Sequence, residues 1–286
     1  MNCAYRDALE GLKRLAFISF PLLGLLLACQ KKSSSPPTEA EQPAETKPAV
    51  DNSKTQNDPL KQSFAQATRS DAPQDWQPVE KTMTGKSVGK LYEAVKQDWD
   101  NISLTGKDGK PLEFVATLET DLGPIEITLR PDLAPNHVRN FLALVKAEYY
   151  DGLVFERSVS EESPDNPADK LQYIEAGCPL GTGDPRIGSL GYWLKPEFTT
   201  RATHEIGTVG AGHNREADTA ACKFYITLNK APYLDGNFTI FGKVTKGFNI
   251  VENIFRQPVR LDDNNPEGDH RPLKPVVIKK VTIQAD

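Results

Sequence analysis

The chain has 286 residues and a net charge of −5, with 34 Lys and Arg against 39 Asp and Glu. That balance carries no basic stripe and no Lys/Arg run interleaved with aromatics, which excludes nucleic acid as a partner. The length admits one or two domains, yet the composition changes sharply along the chain, so the folded part is shorter than the whole.

Lys13 and Arg14 precede the apolar run LAFISFPLLGLLLA, which ends at Cys29. The run is too short, and too broken by Pro21 and Gly24, for a membrane span; it suits the apolar region of a secretory signal. Its last residues, Leu26-Leu27-Ala28-Cys29, resemble a bacterial lipobox, in which the cysteine is lipidated and becomes the new N-terminus. The expectation is a signal peptide over 1–28, lipidation at Cys29, and attachment through that lipid to the periplasm-facing membrane surface of the cell envelope. An uncleaved anchor or a secreted chain without lipid is the alternative, because Asp7 and Glu10 are unusual ahead of a signal.

After Cys29 comes QKKSSSPPTEAEQPAETKPAVDNSKTQNDP, almost free of large apolar residues. Such a segment buries too little to offset its ordering entropy and reads, over 29–84, as a disordered tether. Its r.m.s. reach is on the order of 40 Å. Within 85–112, Val88, Leu91, Tyr92, Val95, Trp99 and Ile102 recur at helical spacing and define an amphipathic helix and connector. The apolar stripe must cover something, most simply the outside of the following domain; a partner-binding helix is the alternative.

From residue 113 to 286 the pattern becomes short alternating strands with turn signals. Residues 114–120 and 125–129 flank Asp121-Leu122-Gly123-Pro124 as a hairpin, and 136–147 form a helix begun after a proline. Strands follow at LVFERSV, QYIEA, GTVGAG, KFYITL, TIFGKV and VVIKKVTI, with a second helix over 248–254. The fold class this implies is mainly β: a closed antiparallel barrel capped by two helices. In LVFERSV strict alternation puts Leu153, Phe155, Arg157 and Val159 on one face, so Arg157 stands in an apolar row. Either it snorkels off an exposed face or the row borders a groove that needs a guanidinium.

The stretch VATLETDLGPIEITLRPDLAPNHVRNFLALVKAEYYDGLVFER resembles the opening of a cyclophilin-type peptidyl-prolyl isomerase. The likeness continues through PLGTG, the EF…H..GTV run, KFYITLNKAPYLDGNFTIFGKV and GFNIVENI, in order, over about residues 113–286. It implies cis-trans isomerisation of X-Pro bonds, here in exported proteins, with no cofactor and no metal; the four histidines show no ligand spacing. The X-Pro bond turns over a barrier of about 18–20 kcal/mol because of its partial double-bond character. In the twisted transition state the prolyl nitrogen regains its lone pair, so a donor held over it binds that state more tightly than either ground state. Arginine suits the task, being always charged and needing no proton cycle. By resemblance Arg157 is that catalytic arginine.

The resemblance also supplies the substrate-binding residues. Alternation in KFYITL sends Phe224, Ile226 and Leu228 to the core and Lys223, Tyr225 and Thr227 toward the groove. Tyr225 takes the place of the family's pocket phenylalanine, Tyr233 and Leu234 match the pair walling the pocket, and Phe238 lies where many members have histidine. Gly212 and His213 fall where substrate backbone binds. The family's Phe-Met-x-Gln-Gly-Gly-Asp appears as QYIEAGC, with Tyr173 and Glu175 in groove positions, and Lys223 replaces a second glutamine. An acidic insertion, SEESPDNPADK, separates Arg157 from this strand, and the pocket phenylalanine expected near Leu171 or Gln172 has no counterpart. Either Glu175 and Lys223 compensate each other and leave the arginine oriented, or Glu175 captures the guanidinium. Two functional classes therefore stay open: a tethered, monomeric isomerase acting on proline-containing polypeptides, and a weak or inactive peptide-binding module. Cys178 and Cys222 fit either a disulfide or two half-buried thiols.

Overall fold

The computed structural model describes residues 58–71, 76, 78–162, 170–184, 186–214, 216–260 and 270–285. The expected signal peptide, Cys29 and the tether up to residue 57 lie outside the described residues. Alternation dictates the first hairpin: strands β2 (Phe114–Thr120) and β3 (Gly123–Leu129) bury Phe114, Ala116 and Leu118 against Ile125, Ile127 and Leu129. Their register runs from Phe114 opposite Leu129 to Thr120 opposite Gly123. The turn is tied by the Thr120 hydroxyl, which donates to the Gly123 carbonyl at 2.6 Å and accepts from the Leu122 N–H at 3.1 Å.

Six more strands complete the sheet: β4 (Phe155–Glu162), β5 (Lys170–Ala176), β7 (Thr208–Ala211), β8 (Phe224–Thr227), β9 (Ile240–Lys246) and β10 (Ile278–Ala285). All pair antiparallel, in the order β10-β2-β3-β9-β7-β8-β5-β4. The sheet curls until its two edges meet, where the Phe155 N–H donates to the Val276 carbonyl at 2.9 Å and the Ile278 N–H to the Leu153 carbonyl at 2.8 Å. The edges join at the single bridge of Val154 with Val277, which takes up part of the ladder that a flat sheet would leave exposed. The mainly β class and the antiparallel barrel with few helices stand as expected.

Two helices fill the barrel's openings. Helix α3 (Pro135–Lys146) starts on a proline, whose missing N–H costs nothing in a first turn, and buries Val138, Phe141 and Leu142. Helix α4 (Phe248–Phe255) starts after Gly247, whose φ of +77° and 2.2 Å approach of a would-be Cβ to the Pro124 carbonyl both demand glycine. Helix α2 (Val88–Trp99) is capped by the Ser87 hydroxyl and sends Val88, Leu91, Val95 and Trp99 into the main core beside α3. Its stripe covers the outside of the domain, the simpler of the two readings.

The tether boundary at residue 84 is corrected. Residues 59–61 form a 3-10 turn, Phe64–Ala67 a short helix α1, and β1 (Thr68–Arg69) pairs with β6 (Trp193–Leu194). The reason lies in a few apolar residues scattered in a polar segment: Leu60, Phe64 and Val79 all pack on the core. Phe64 meets Tyr92, Trp99 and Tyr192 edge-on, with ring centroids at 5.8, 5.4 and 5.1 Å. The Trp99 indole then donates to the Gln62 carbonyl at 2.9 Å. Average composition hid these anchors.

Candidate active site

A row of residues runs straight across four strands: Arg157 on β4 opposes Glu175 on β5, Glu175 opposes Tyr225 on β8, and Tyr225 opposes Gly210 on β7. Residues so paired share one face of a sheet. Behind them, on the other face, Phe155, Ile174, Ala176, Phe224 and Ile226 belong to the main core. The alternation expected for KFYITL therefore holds for Phe224 and Ile226 against Tyr225.

The row expected within LVFERSV does not hold. A bulge between Phe155 and Arg157 switches the faces, so Leu153 and Phe155 enter the main core while Val159 joins the opposite cluster. Two residues facing one across a bulge re-aim the side chain that follows. Arg157 thus leaves the apolar row of its predecessors and turns to the groove face. Its stem is held by the turn at Gly183, where a Cβ would lie 2.7 and 2.9 Å from Arg157 Cγ and Cδ at a φ of +67°. Glycine is required there on both counts. That loop is itself braced from the N-terminal segment, because the Met83 N–H donates to the Pro179 carbonyl at 2.7 Å.

Glu175 and Lys223 form an ion pair, Nζ to Oε1 at 3.0 Å, with side chains 0 % and 6 % exposed. Neither charge lines a solvent-open groove; both sit beneath it. Burial would lower the Lys223 ammonium, but Glu175, with Cys178 and Glu156, holds it above its ordinary value. Glu156, wholly buried, completes this cluster and accepts from the Cys178 N–H at 2.8 Å. Burial pushes Glu156 up to about 8, the charge of Glu175 adding to the effect and Lys223 opposing it. Two carboxyls around one ammonium hold one proton more readily than two negative charges. Glu156 Oε2 and Glu175 Oε2 each lack a hydrogen-bond partner among the described residues.

The groove face carries its own apolar cluster, separate from the main core: Val159, Leu171, Tyr173, Tyr225, Ala231, Leu234 and Phe238, with half-buried Tyr233 against it. Leu171 enters here, where the phenylalanine of the family pattern had no counterpart. Tyr225 lies flat over Gly210, whose missing Cβ makes the room: one added there would stand 2.2 Å from the ring. Its hydroxyl meets His204 Nε2 at 2.8 Å, and His204 Nδ1 meets Asp235 at 2.7 Å. The Asp235 carboxylate also accepts the His204 backbone N–H, which fixes the ring with Nδ1–H toward Asp235 and Nε2 as acceptor for Tyr225. Burial keeps His204 below its ordinary value, against the pull of Asp235. Phe238 stacks on His213 at 4.1 Å. His213 is buried, with Nδ1 2.6 Å from the Asn214 carbonyl and Nε2 3.0 Å from that of Asn237. The Gly212 N–H is taken up inside the sheet by the Lys223 carbonyl at 3.0 Å.

Sequence reasoning missed Glu156, His204 and Asp235 as members of the site. A signal existed for the last two: a tyrosine in a phenylalanine position must find a partner for its hydroxyl when buried. Cys178 and Cys222 are free and buried, and burial pushes Cys222 up to about 12. Among the described residues no group of three His, Cys, Asp or Glu could hold a metal ion.

Comparison with known proteins agrees with this fold. Residues 115–283 match the model of the cyclophilin type peptidyl-prolyl cis-trans isomerase/CLD family. Peptidyl-prolyl cis-trans isomerase-like 3 of Gallus gallus is 35 % identical over 173 residues, 60 % of this chain and 98 % of that protein. The isomerase-like 2 protein of Cryptococcus neoformans is 32 % identical over 208 residues, 70 % of this chain but 33 % of that one. A Cryptosporidium parvum cyclophilin type isomerase superposes with a TM-score of 0.51 at 22 % identity, covering 61 % of this chain and 99 % of its own; that protein has also been crystallised in the presence of the dipeptide Ala-Pro, TM-score 0.50. With more than half of its length matched by the family model, the chain belongs to the cyclophilin-type peptidyl-prolyl cis-trans isomerase family.

Proposed function

We propose that the protein catalyses cis-trans isomerisation of X-Pro bonds, with Arg157 as the donor to the prolyl nitrogen of the twisted transition state. The observation that carries this reading is the row Arg157–Glu175–Tyr225, in which Glu175 is engaged by Lys223. A carboxylate neutralised by its own cation has little pull on a neighbouring guanidinium, so the first of the two sequence alternatives is favoured over capture of Arg157. The chemistry needs no nucleophile or base. A preset donor beside an apolar wall stabilises the developing lone pair without reorganising in the reaction. Tyr225, Tyr233, Leu234 and Phe238 supply the wall, and the crystallisation of the Cryptosporidium relative in the presence of Ala-Pro supports proline-containing peptides as ligands. A protease-coupled assay of the full chain on a prolyl tetrapeptide tests it; acceleration is expected, and none would leave the second reading, a module that binds prolyl peptides without turnover. That reading draws on the burial of the groove cluster.

We further propose that lipid at Cys29 ties this activity to the cell envelope, where exported proteins would be its substrates. Support comes from the residues Leu26-Leu27-Ala28-Cys29 and the polar segment after them. Cys29→Ser is expected to move the protein from the membrane to the soluble fraction; unchanged membrane association would refute lipid anchoring.

A further inference from the structure

The groove face holds a contradiction that rests on, and sharpens, the isomerase reading. A hollow that takes a proline ring must show its walls to solvent, yet Val159, Leu171, Tyr173, Tyr225, Leu234 and Phe238 are all between 0 and 3 % exposed, and of the wall residues named above Tyr233 is the one that is half-buried. Something already fills the space. The filling side chain stands where the family pattern has a slender methionine: Tyr173, one rung along β5 from Glu175. Its ring is edge-on to Tyr225, centroids 5.9 Å apart at 64°, while the Arg157 guanidinium carbon lies 6.0 Å from its centroid. It therefore lies between the floor of the hollow and the donor, which is where the substrate ring must sit for the donor to face its nitrogen.

We propose that Tyr173 is an internal stopper of the prolyl hollow, and that substrate enters only when its ring turns out from between Tyr225 and Arg157. The closed ring engages both groups that a bound proline would use. It buries apolar surface on Tyr225 and takes the Arg157 cation on its face, an arrangement favourable in a desolvated site. Turning out forfeits these contacts, so the competent state is a minor one and apparent affinity is reduced by its population. The stopper also acts as a specificity device: a ligand must supply a ring or an apolar side chain that replaces what Tyr173 gives up.

The test uses the full chain, the tetrapeptide Ala-Ala-Pro-Phe as probe, and two readouts: binding by NMR titration, and cis-trans exchange of the same peptide by two-dimensional exchange spectra. Tyr173→Ala is expected to tighten binding by about ten- to hundredfold, equivalent to about 1.4–2.8 kcal/mol, and to raise the exchange rate in proportion. Tyr173→Met, which keeps an apolar side chain of intermediate size and thinner shape, should shift both readouts the same way by less, and it decides the matter should the alanine variant not fold. Tighter binding without exchange would support the stopper and overturn the isomerase reading. Unchanged or weaker binding in a folded variant, or no detectable binding in either variant, would overturn the stopper.

Discussion

The two faces of the barrel sheet are built on opposite terms. One face, through Phe155, Ile174, Phe224 and Ile226, meets the main core chiefly with hydrocarbon, with Ser158 as a buried polar member. The other buries charges and hydroxyls among aromatics, through Glu175, Lys223 and Tyr225, with Arg157 half-buried beside them. Burying apolar surface stabilises by roughly 25 cal/mol per Å², whereas burying a charge costs several kcal/mol unless it is paired. The core face explains why the protein folds. The groove face is held at a cost to stability, which points to selection for chemistry there.

Substitutions should separate the faces. Phe224→Ala removes a ring that packs on Phe141, Tyr150 and Phe155; chemical denaturation should show a loss of about 3–5 kcal/mol. Lys223→Met leaves Glu175 buried with no cation and should cost a similar amount, about 3–5 kcal/mol. Glu175→Gln should cost less, because Glu156 stands close enough to ionise in its place. Replacing both, Glu175→Gln with Lys223→Gln, should recover most of the loss; a double variant as unstable as Lys223→Met would mean that the pair is not what holds this layer.

Glu156 gives the same contrast a pH axis. A carboxyl whose pKa is raised in the folded state contributes stability in its neutral form. That contribution is whole below about 4.5, the ordinary value, declines as pH rises and is gone beyond about 8. Glu156→Gln cannot ionise, so its stability relative to the unsubstituted protein should increase across this range by on the order of a few kcal/mol. Urea midpoints at about pH 5 and about pH 9 would reveal it, and parallel pH profiles for the two proteins would contradict it. The smallest effect belongs to Tyr225→Phe, which leaves His204 Nε2 without its donor and should cost about 1–2 kcal/mol, measured as a shift in thermal midpoint.

Much of the core face was legible in the sequence, because period-2 alternation and turn residues report burial directly. Phe114 to Leu129 emerged as a hairpin, and helix α3 began within one residue of its expected start. The groove face was legible only in part. Arg157 could be singled out, but its direction depends on the bulge after Phe155, and a one-residue slip of register leaves no trace in composition. The ion pair of Glu175 with Lys223 followed from opposite charges in neighbouring strands. Its depth did not, since burial is set by Gly188 and Gly212, which let the lysine stem pass close to the backbone. Nor could composition show that Phe64 would anchor a polar segment onto Tyr92, Trp99 and Tyr192, because a single aromatic hardly alters an average.

The central claim is that the groove face is organised around Arg157 as a donor and not as a structural cation. The most direct measurement is the two-dimensional exchange spectrum of a prolyl tetrapeptide with the unsubstituted chain and with Arg157→Ala, alongside a thermal melt of each. The account predicts that the variant keeps its melting midpoint within a few degrees, still shifts the peptide resonances, and loses the cis-trans exchange peaks, a fall of about a hundredfold or more in rate. Exchange peaks of equal strength from a folded Arg157→Ala would contradict it.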